Sequence, residues 1–250
     1  MASSMDLEAY LERIAYRGPL TPDFDTLRSL HLAHLLAVPF ENLDVLQGRP
    51  IVLDLERIYH KIVVRGRGGF CYELNGLFAW LLREVGFEVL MLSASDAHSD
   101  GGYGPEFDHL ALLVPISGGT ATKAPVRWLA DVGWGDTFFE PLRLEEPGIQ
   151  EQGRRAYRVE ADGDYRIVWQ RGYDGDWRKN FRFSLPPRQF SDFAGMCRHH
   201  QTSPASPFTQ KRIVTRATPG GRVSLRGNRL ITTLDGQRLE RTVHDETELE

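Results

Sequence analysis

The sequence predicts an α+β protein built as three consecutive lobes: a helical lobe, a β lobe and a small α+β lobe. Three observations carry this. Apolar residues recur at helical spacing as far as Gly86. From Phe87 the apolar runs become short and are bounded by Gly, Pro, Ser and Asp. Beyond Pro186 a helical-looking piece precedes further short runs. The expected boundaries are residues 1–86, 87–188 and 189–250.

In the first lobe, Asp6 is a suitable N-cap for a stripe of Leu7, Tyr10, Leu11 and Ile14. Thr21-Pro22 supplies a cap and an N1 proline for the stripe Phe24, Leu27, Leu30, His31, His34 and Leu35, which Pro39 ends. Asp54 caps a third segment with Leu55, Ile58 and Ile62 on one face. A fourth helix starts near Cys71 and carries Leu74, Leu77, Phe78, Leu81, Leu82 and Val85, with Gly86 as a left-handed terminator. Its apolar content predicts a central helix.

Strands are expected at 87–93, 109–115, 126–132, 157–161, 165–170 and 177–183, with hairpin signals at Asp162-Gly163 and Asp174-Gly175. In the last lobe a short helical piece over 190–196 and a Ser/Pro-rich link over 202–207 lead to strands at 212–216, 222–225 and 230–233.

Composition narrows the function classes. At 41% hydrophobic and 26% charged residues the chain can bury a sizeable core. A net charge of −4 with scattered arginines lacks the basic footprint of a nucleic-acid binder. No window approaches ~20 uninterrupted apolar residues, so no membrane span is expected. The first residues lack a basic stretch followed by an apolar run, and two cysteines, Cys71 and Cys197, suit a reducing compartment. The expectation is a cytoplasmic protein.

Cys71 is the most informative residue. It follows Gly68-Gly69-Phe70 and opens a helix, where free N–H groups and the positive dipole end favour a thiolate and would lower the thiol pKa below its free value of about 8.5. A cysteine nucleophile needs a base, and the base an orienting partner. His109 begins a strand after the Gly-rich loop 101–105, and Asp131 closes an apolar strand before Val132-Gly133. If those strands are neighbours, Asp131 orients His109 and His109 serves Cys71. Spacing alone leaves plainer alternatives open: a packed small hydrophobe at Cys71, a strand-edge imidazole at His109 and a turn cap at Asp131.

Other clusters carry less chemistry. Cys197, His199 and His200 offer too few ligands for a closed zinc site, so no metal is expected. His31 and His34 read as partly buried core residues. Pro39-Phe40-Glu41-Asn42-Leu43 reads as a corner in which Glu41 and Asn42 tie loop backbone. Neither a Walker phosphate loop nor a dinucleotide fingerprint is supported.

In order along the chain, Pro39-Phe40-Glu41-Asn42-Leu43-Asp44, Arg67-Gly68-Gly69-Phe70-Cys71-Tyr72-Glu73-Leu74-Asn75, the strand opened by His109, Leu129-Ala130-Asp131-Val132-Gly133-Trp134-Gly135 and Thr202-Ser203-Pro204-Ala205-Ser206-Pro207-Phe208 resemble the arylamine N-acetyltransferase family. The resemblance implies an N-terminal helical bundle, a central β-barrel and a C-terminal α/β lid around a cysteine-protease-like Cys-His-Asp core. It assigns Cys71 as acyl-accepting nucleophile, His109 as base and Asp131 as orienting carboxylate. Phe40 would line the acceptor pocket, and Gly133, Trp134 and Gly135 would border it and the incoming thioester.

The implied donor is acetyl-CoA, the implied acceptor an arylamine or arylhydrazine, and the implied mechanism ping-pong through acetyl-Cys71. Related functions with the same triad are amide synthases that release a polyketide chain, and cysteine hydrolases or transglutaminase-like enzymes. A binding module with an inert cysteine is the non-enzymatic alternative. Two departures stand out. Trp134 replaces the usual phenylalanine, and the sequence ends at Glu250, short of the further C-terminal segment expected for the lid.

Overall fold

A computed structural model of the chain describes residues 5–117 and 124–244. Helices dominate the first third: α1 (Leu7–Arg13), α2 (Phe24–Ala37), α3 (Leu43–Leu46), α4 (Leu55–Tyr59) and α5 (Cys71–Val85). Asp6 and Asp54 cap α1 and α4, their side chains accepting from Glu8 and Arg57 amides. The cap of α2 is Asp23, which accepts from the Thr26 amide, and not the expected Thr21. Asp23 lies nearer the first helical turn, so Thr21-Pro22 is left to steer the approach. α4 runs on into a π-helical turn, His60–Val64, that aims Lys61 inward. Gly86 ends α5 at φ 104°, as the left-handed terminator requires. α5 is buried almost all round, in line with its apolar sequence, and joins α1, α2 and α4 in one core.

Eight antiparallel strands form the second layer. They are β2 (Leu90–Asp96), β3 (His109–Ile116), β4 (Val126–Ala130), β5 (Leu142–Arg143), β6 (Gln150–Gln152), β7 (Arg155–Asp162), β8 (Tyr165–Arg171) and β9 (Trp177–Arg188). Their spatial order is β5-β4-β3-β2-β9-β8-β7-β6, and the sheet curls into a nearly closed barrel. Side chains bridge its two edges. Gln150 on β6 accepts from the Arg143 amide (2.8 Å) and donates to the Arg143 carbonyl (2.9 Å) on β5. Gln152 does the same for Glu140 at 3.1 and 2.7 Å. Leu92, Leu113, Leu129, Phe138, Tyr157, Val168, Phe181 and Phe183 fill the interior.

After a 3-10 turn (Phe190–Phe193) come α6 (Ala194–Thr202) and α7 (Pro207–Gln210). A second antiparallel sheet follows, made in spatial order of β1 (Phe40–Glu41), β10 (Ile213–Thr218), β11 (Gly221–Arg226), β12 (Arg229–Leu234) and β13 (Gln237–Thr242). Its first strand, β1, comes from the helical region, with Phe40 opposite Thr215. The helical and C-terminal segments are thereby stitched through one sheet. The acidic chain end read at Glu250 lies outside the described residues. No described helix is long and apolar enough to cross a membrane.

Candidate active site

Two clusters of charge fix the turn that leads into α5. Arg67 donates to Glu41 Oε1 (2.7 Å) and Asp44 Oδ1 (3.1 Å). Lys61 Nζ donates to both Glu73 oxygens (2.9 and 3.0 Å) and lies 2.8 Å from Asp44 Oδ2. Glu73 Oε2 in turn accepts from the Phe70 amide at 3.1 Å. Gly68 and Gly69 run against Pro39–Glu41, where a Cβ on Gly68 would collide with the Pro39 carbonyl. Glu41 and Asn42 tie backbone as the corner reading expects. Glu41 accepts from the Leu43 amide, and Asn42 bonds the Phe208 and Lys211 carbonyls and the Ile213 amide.

Cys71 is the first residue of α5, and β3 and β4 are neighbours, with Leu112 opposite Ala130. His109 therefore opens one strand beside the end of the next, where Asp131 follows Ala130. His109 Nε2 lies 2.7 Å from Asp131 Oδ2. The other carboxylate oxygen accepts from the Gly133 amide (2.9 Å) and from Asn75 Nδ2 (2.8 Å).

Asn75 sits four residues into α5 and is fully buried. Its amide also donates to the Leu110 carbonyl (2.6 Å) and accepts from the Val132 amide (2.9 Å), so one side chain joins α5, β3 and the turn after β4. Gly133 lies on the backbone of Cys71, where a Cβ would sit 2.8 Å from the Cys71 carbonyl oxygen and 2.7 Å from Asn75 Nδ2. The constraint there is close approach, since any side chain would push the turn off the helix start.

Aromatic rings border this cluster. Trp134 meets His109 edge-to-face at 4.9 Å and lies 4.7 Å from the Phe181 ring. Phe40 stands 6.0 Å from Phe208 and beside Gly135, whose φ of 93° suits glycine. All seven residues singled out from sequence thus fall in one region.

Three contributors escaped the sequence reading. Asn75 was quoted only as part of a motif. Tyr72 donates its hydroxyl to the Phe107 and Asp108 carbonyls (2.7 and 3.0 Å), pinning the approach to His109. His31 was read as a core residue. It is buried, but it also works on the site. Its Nδ1 lies 2.9 Å from the Phe139 carbonyl, and its Nε2 lies 3.1 Å from the Asp131 amide nitrogen and 3.0 Å from the Asp131 carbonyl, so the ring braces the residue that holds His109. Burial lowers the His31 pKa to about 4, which keeps this ring neutral.

One electrostatic expectation is overturned. Burial pushes the Cys71 thiol well above its ordinary range, with Asp96, Cys197, Asp108 and Asp131 adding to the effect. The helix N-terminus does not compensate for the loss of water around a thiol that is only 3% exposed. Burial alone would lower His109, but the Asp131 carboxylate outweighs it and leaves the imidazole above its usual pKa. Of the residues weighed for zinc, Cys197 is engaged by Gln201 and His200 by Asp108.

A family model described as N-acetyltransferase matches residues 23–250. The chain is 36% identical over 237 residues to an arylamine N-acetyltransferase of Mycolicibacterium smegmatis, covering 93% of this chain and 84% of that one. It is 33% identical over 251 residues to proansamycin X synthase of Amycolatopsis mediterranei, covering 97% and 93%. The solved structure of Mycobacterium marinum arylamine N-acetyltransferase in complex with CoA superimposes with a TM-score of 0.88 at 32% identity, covering 98% of this chain and 89% of that one. A fold and a site of this kind define an acyltransferase. The chain belongs to the arylamine N-acetyltransferase family, which draws its acyl group from acetyl-CoA.

Proposed function

We propose that the protein N-acetylates arylamines and arylhydrazines by a ping-pong mechanism through acetyl-Cys71, with His109 as base and Asp131 as its orienting carboxylate. The observation that carries this reading is the lock of Asn75 and Gly133 between the Cys71 helix start and the carboxylate that holds His109. Residues 1–86, 87–188 and 189–250 serve as helical bundle, barrel and lid around this core. The enzyme works in the cytoplasm.

Because burial raises the pKa of the Cys71 thiol, its ionisation is coupled to substrate engagement. Asp131 occupies His109 Nε2, which leaves Nδ1 for the thiol proton. The Cys71 sulfur then attacks the thioester carbonyl, and the first amides of α5 stabilise the oxyanion. Coenzyme A leaves as a thiol, taking its proton from His109. In the second half-reaction the amine attacks acetyl-Cys71, neutral His109 takes the amine proton, and the C–S bond breaks. Separation of the two halves by a thioester gives ping-pong kinetics. Aromatic amines and hydrazines suit this step because they stay unprotonated near neutral pH, whereas an aliphatic amine of pKa near 10 is mostly ammonium. Phe40, Gly133, Trp134 and Gly135 shape the acceptor pocket.

The test is mass spectrometry after incubation with acetyl-CoA. One added acetyl group on Cys71, lost in Cys71→Ala and discharged by an arylamine, is the expected result; an unmodified wild type would refute the reading. The similarity to proansamycin X synthase supports a second reading, an amide synthase. It predicts turnover of a long-chain thioester without turnover of acetyl-CoA.

A further inference from the structure

Three carboxylates approach the catalytic imidazole, and two are committed to protein partners. Asp131 is held by His109, Asn75 and Gly133. Asp108 Oδ1 lies 3.1 Å from His200 Nε2, and its Oδ2 accepts from the Asp96 amide at 3.4 Å. The third, Asp96, ends β2. Among the described residues no donor hydrogen-bonds its carboxyl oxygens, although the side chain is half-buried. A carboxylate partly withdrawn from water and left without protein donors is suited to a donor that arrives from outside.

Sheet register shows where this carboxylate faces. Ala94 lies opposite His109, and Asp96 lies opposite Phe181. Cross-strand partners share a face, as do residues two apart along a strand. Asp96 therefore shares the face of His109 and Phe181, whose rings are 5.6 Å apart. It is the diagonal neighbour of His109 across the β2–β3 pair, a relation that sets the two backbone positions about 7–8 Å apart.

We propose that Asp96 is an acceptor-binding residue that receives a hydrogen bond from a second N–H or O–H donor next to the attacking nitrogen. The site thereby favours hydrazine-type acceptors over those lacking that donor. The inference rests on the acetyl-transfer reading above and specifies its acceptor. Bond changes are those already described: N–C forms, C–S breaks, the amine proton passes to His109 and the electron pair to sulfur. Asp96 accepts a hydrogen bond throughout and exchanges no electrons.

Its environment agrees. Burial and the neighbouring Asp108 raise its pKa to about 7, with His109 and His200 pulling it back, so a sizeable ionised fraction exists at neutral pH.

The test uses two probes of matched nucleophilicity: phenylhydrazine, which carries the second N–H, and 1-methyl-1-phenylhydrazine, which does not. Acetyl-Cys71 is formed first and quantified by mass, and its single-turnover discharge by each probe is timed. The donor half-reaction then does not enter the ratio. The wild type should prefer phenylhydrazine by about tenfold or more, the scale of one hydrogen bond to a charged group. Asp96→Val should bring the ratio near one. The isosteric Asp96→Asn, which keeps the shape but loses the charge, should lower it several-fold and carries the test if the valine variant does not fold. Asp96→Glu should restore part of the preference. An equal ratio in wild type and Asp96→Asn, or no preference in the wild type, overturns the proposal while leaving acetyl transfer standing. Failure of the wild type to form acetyl-Cys71 would refute the transfer reading and this inference with it.

Discussion

Replacing Asn75 by alanine removes a side chain that joins α5 to β3 and to the turn after β4. Three partners lose it: the Leu110 carbonyl at 2.6 Å, Asp131 Oδ1 at 2.8 Å and the Val132 amide at 2.9 Å. A buried group left unsatisfied costs about 1–3 kcal/mol, more when charged. Asp131 Oδ1 keeps the Gly133 amide, which moderates that loss. The sum is roughly 4 kcal/mol. For a chain of this size each kcal/mol moves Tm by about 2–4 °C, so Asn75→Ala should melt roughly 8 °C or more below wild type. Scanning calorimetry measures this, and the rate of Cys71 alkylation by iodoacetamide should fall in parallel as Asp131 loosens. Asn75→Asp sharpens the test. It turns a donor towards Asp131 into a second carboxylate, whose folded pKa rises above its unfolded value near 3.9. Its deficit against wild type should be smallest below pH ~4 and grow as pH rises. A Tm within about 2 °C of wild type for both variants would sink the account of Asn75 as the lock of the site.

Other expectations follow from the same network. Lys61→Met leaves Glu41, Asp44 and Glu73 crowded without their shared cation and should cost about 3–5 kcal/mol in urea denaturation, whereas Arg49→Ala, at an exposed partner of Asp44, should cost under about 1 kcal/mol. His31 and His34 have folded pKa values depressed to about 4 and about 3 by burial, so the unfolded chain binds protons more readily. Their stabilisation is present above pH ~6.5 and is lost as pH falls towards 4, by roughly 3 kcal/mol for His31 alone. A flatter pH–stability curve for His31→Gln supports this, and an unchanged curve contradicts it. Gly133→Ala forces a methyl group into the Cys71 carbonyl and the Asn75 amide, so acetylation of Cys71 should drop by about a hundredfold or more while Gly195→Ala, in open space, leaves it intact.

Long periodic segments were readable from the chain because burial imposes their pattern. α5 combines apolar residues at helical spacing with Gly86, and the structure confirms both. β2 begins three residues later than read and runs on to Asp96. Phe87 and Val89 are buried like strand residues but belong to the approach, while Ser93, opposite Leu110 on β3, and Ser95, opposite Arg182 on β9, pair without apolar signal. β13 could not be read, since all six of its residues are exposed and backbone pairing alone defines it.

The site was legible in its chemistry more than in its support. Cys71, His109 and Asp131 are residue types that suggest roles, and the β3–β4 register brings the last two together. His31 reaches Asp131 across 100 positions, a contact that helical periodicity cannot encode. The lowered Cys71 pKa expected from sequence fails for a related reason: a helix start is visible in sequence, but the depth at which it is buried, which raises the thiol pKa, is not.

The corner at Phe40–Asn42 has a consequence for the order in which the molecule is made. Asn42 is satisfied by backbone 166, 169 and 171 positions downstream, and β1 has β10 as its partner strand. While a chain is still emerging from the ribosome, Cys71 and its helix can form, but β1, on which the Gly68-Gly69 turn in front of them rests, has no partner strand until residues near 215 arrive. Such long-range pairing slows folding. Acyl-acceptor competence should therefore appear late in synthesis, after the barrel, so that a nascent chain carries no working nucleophile through most of its time on the ribosome.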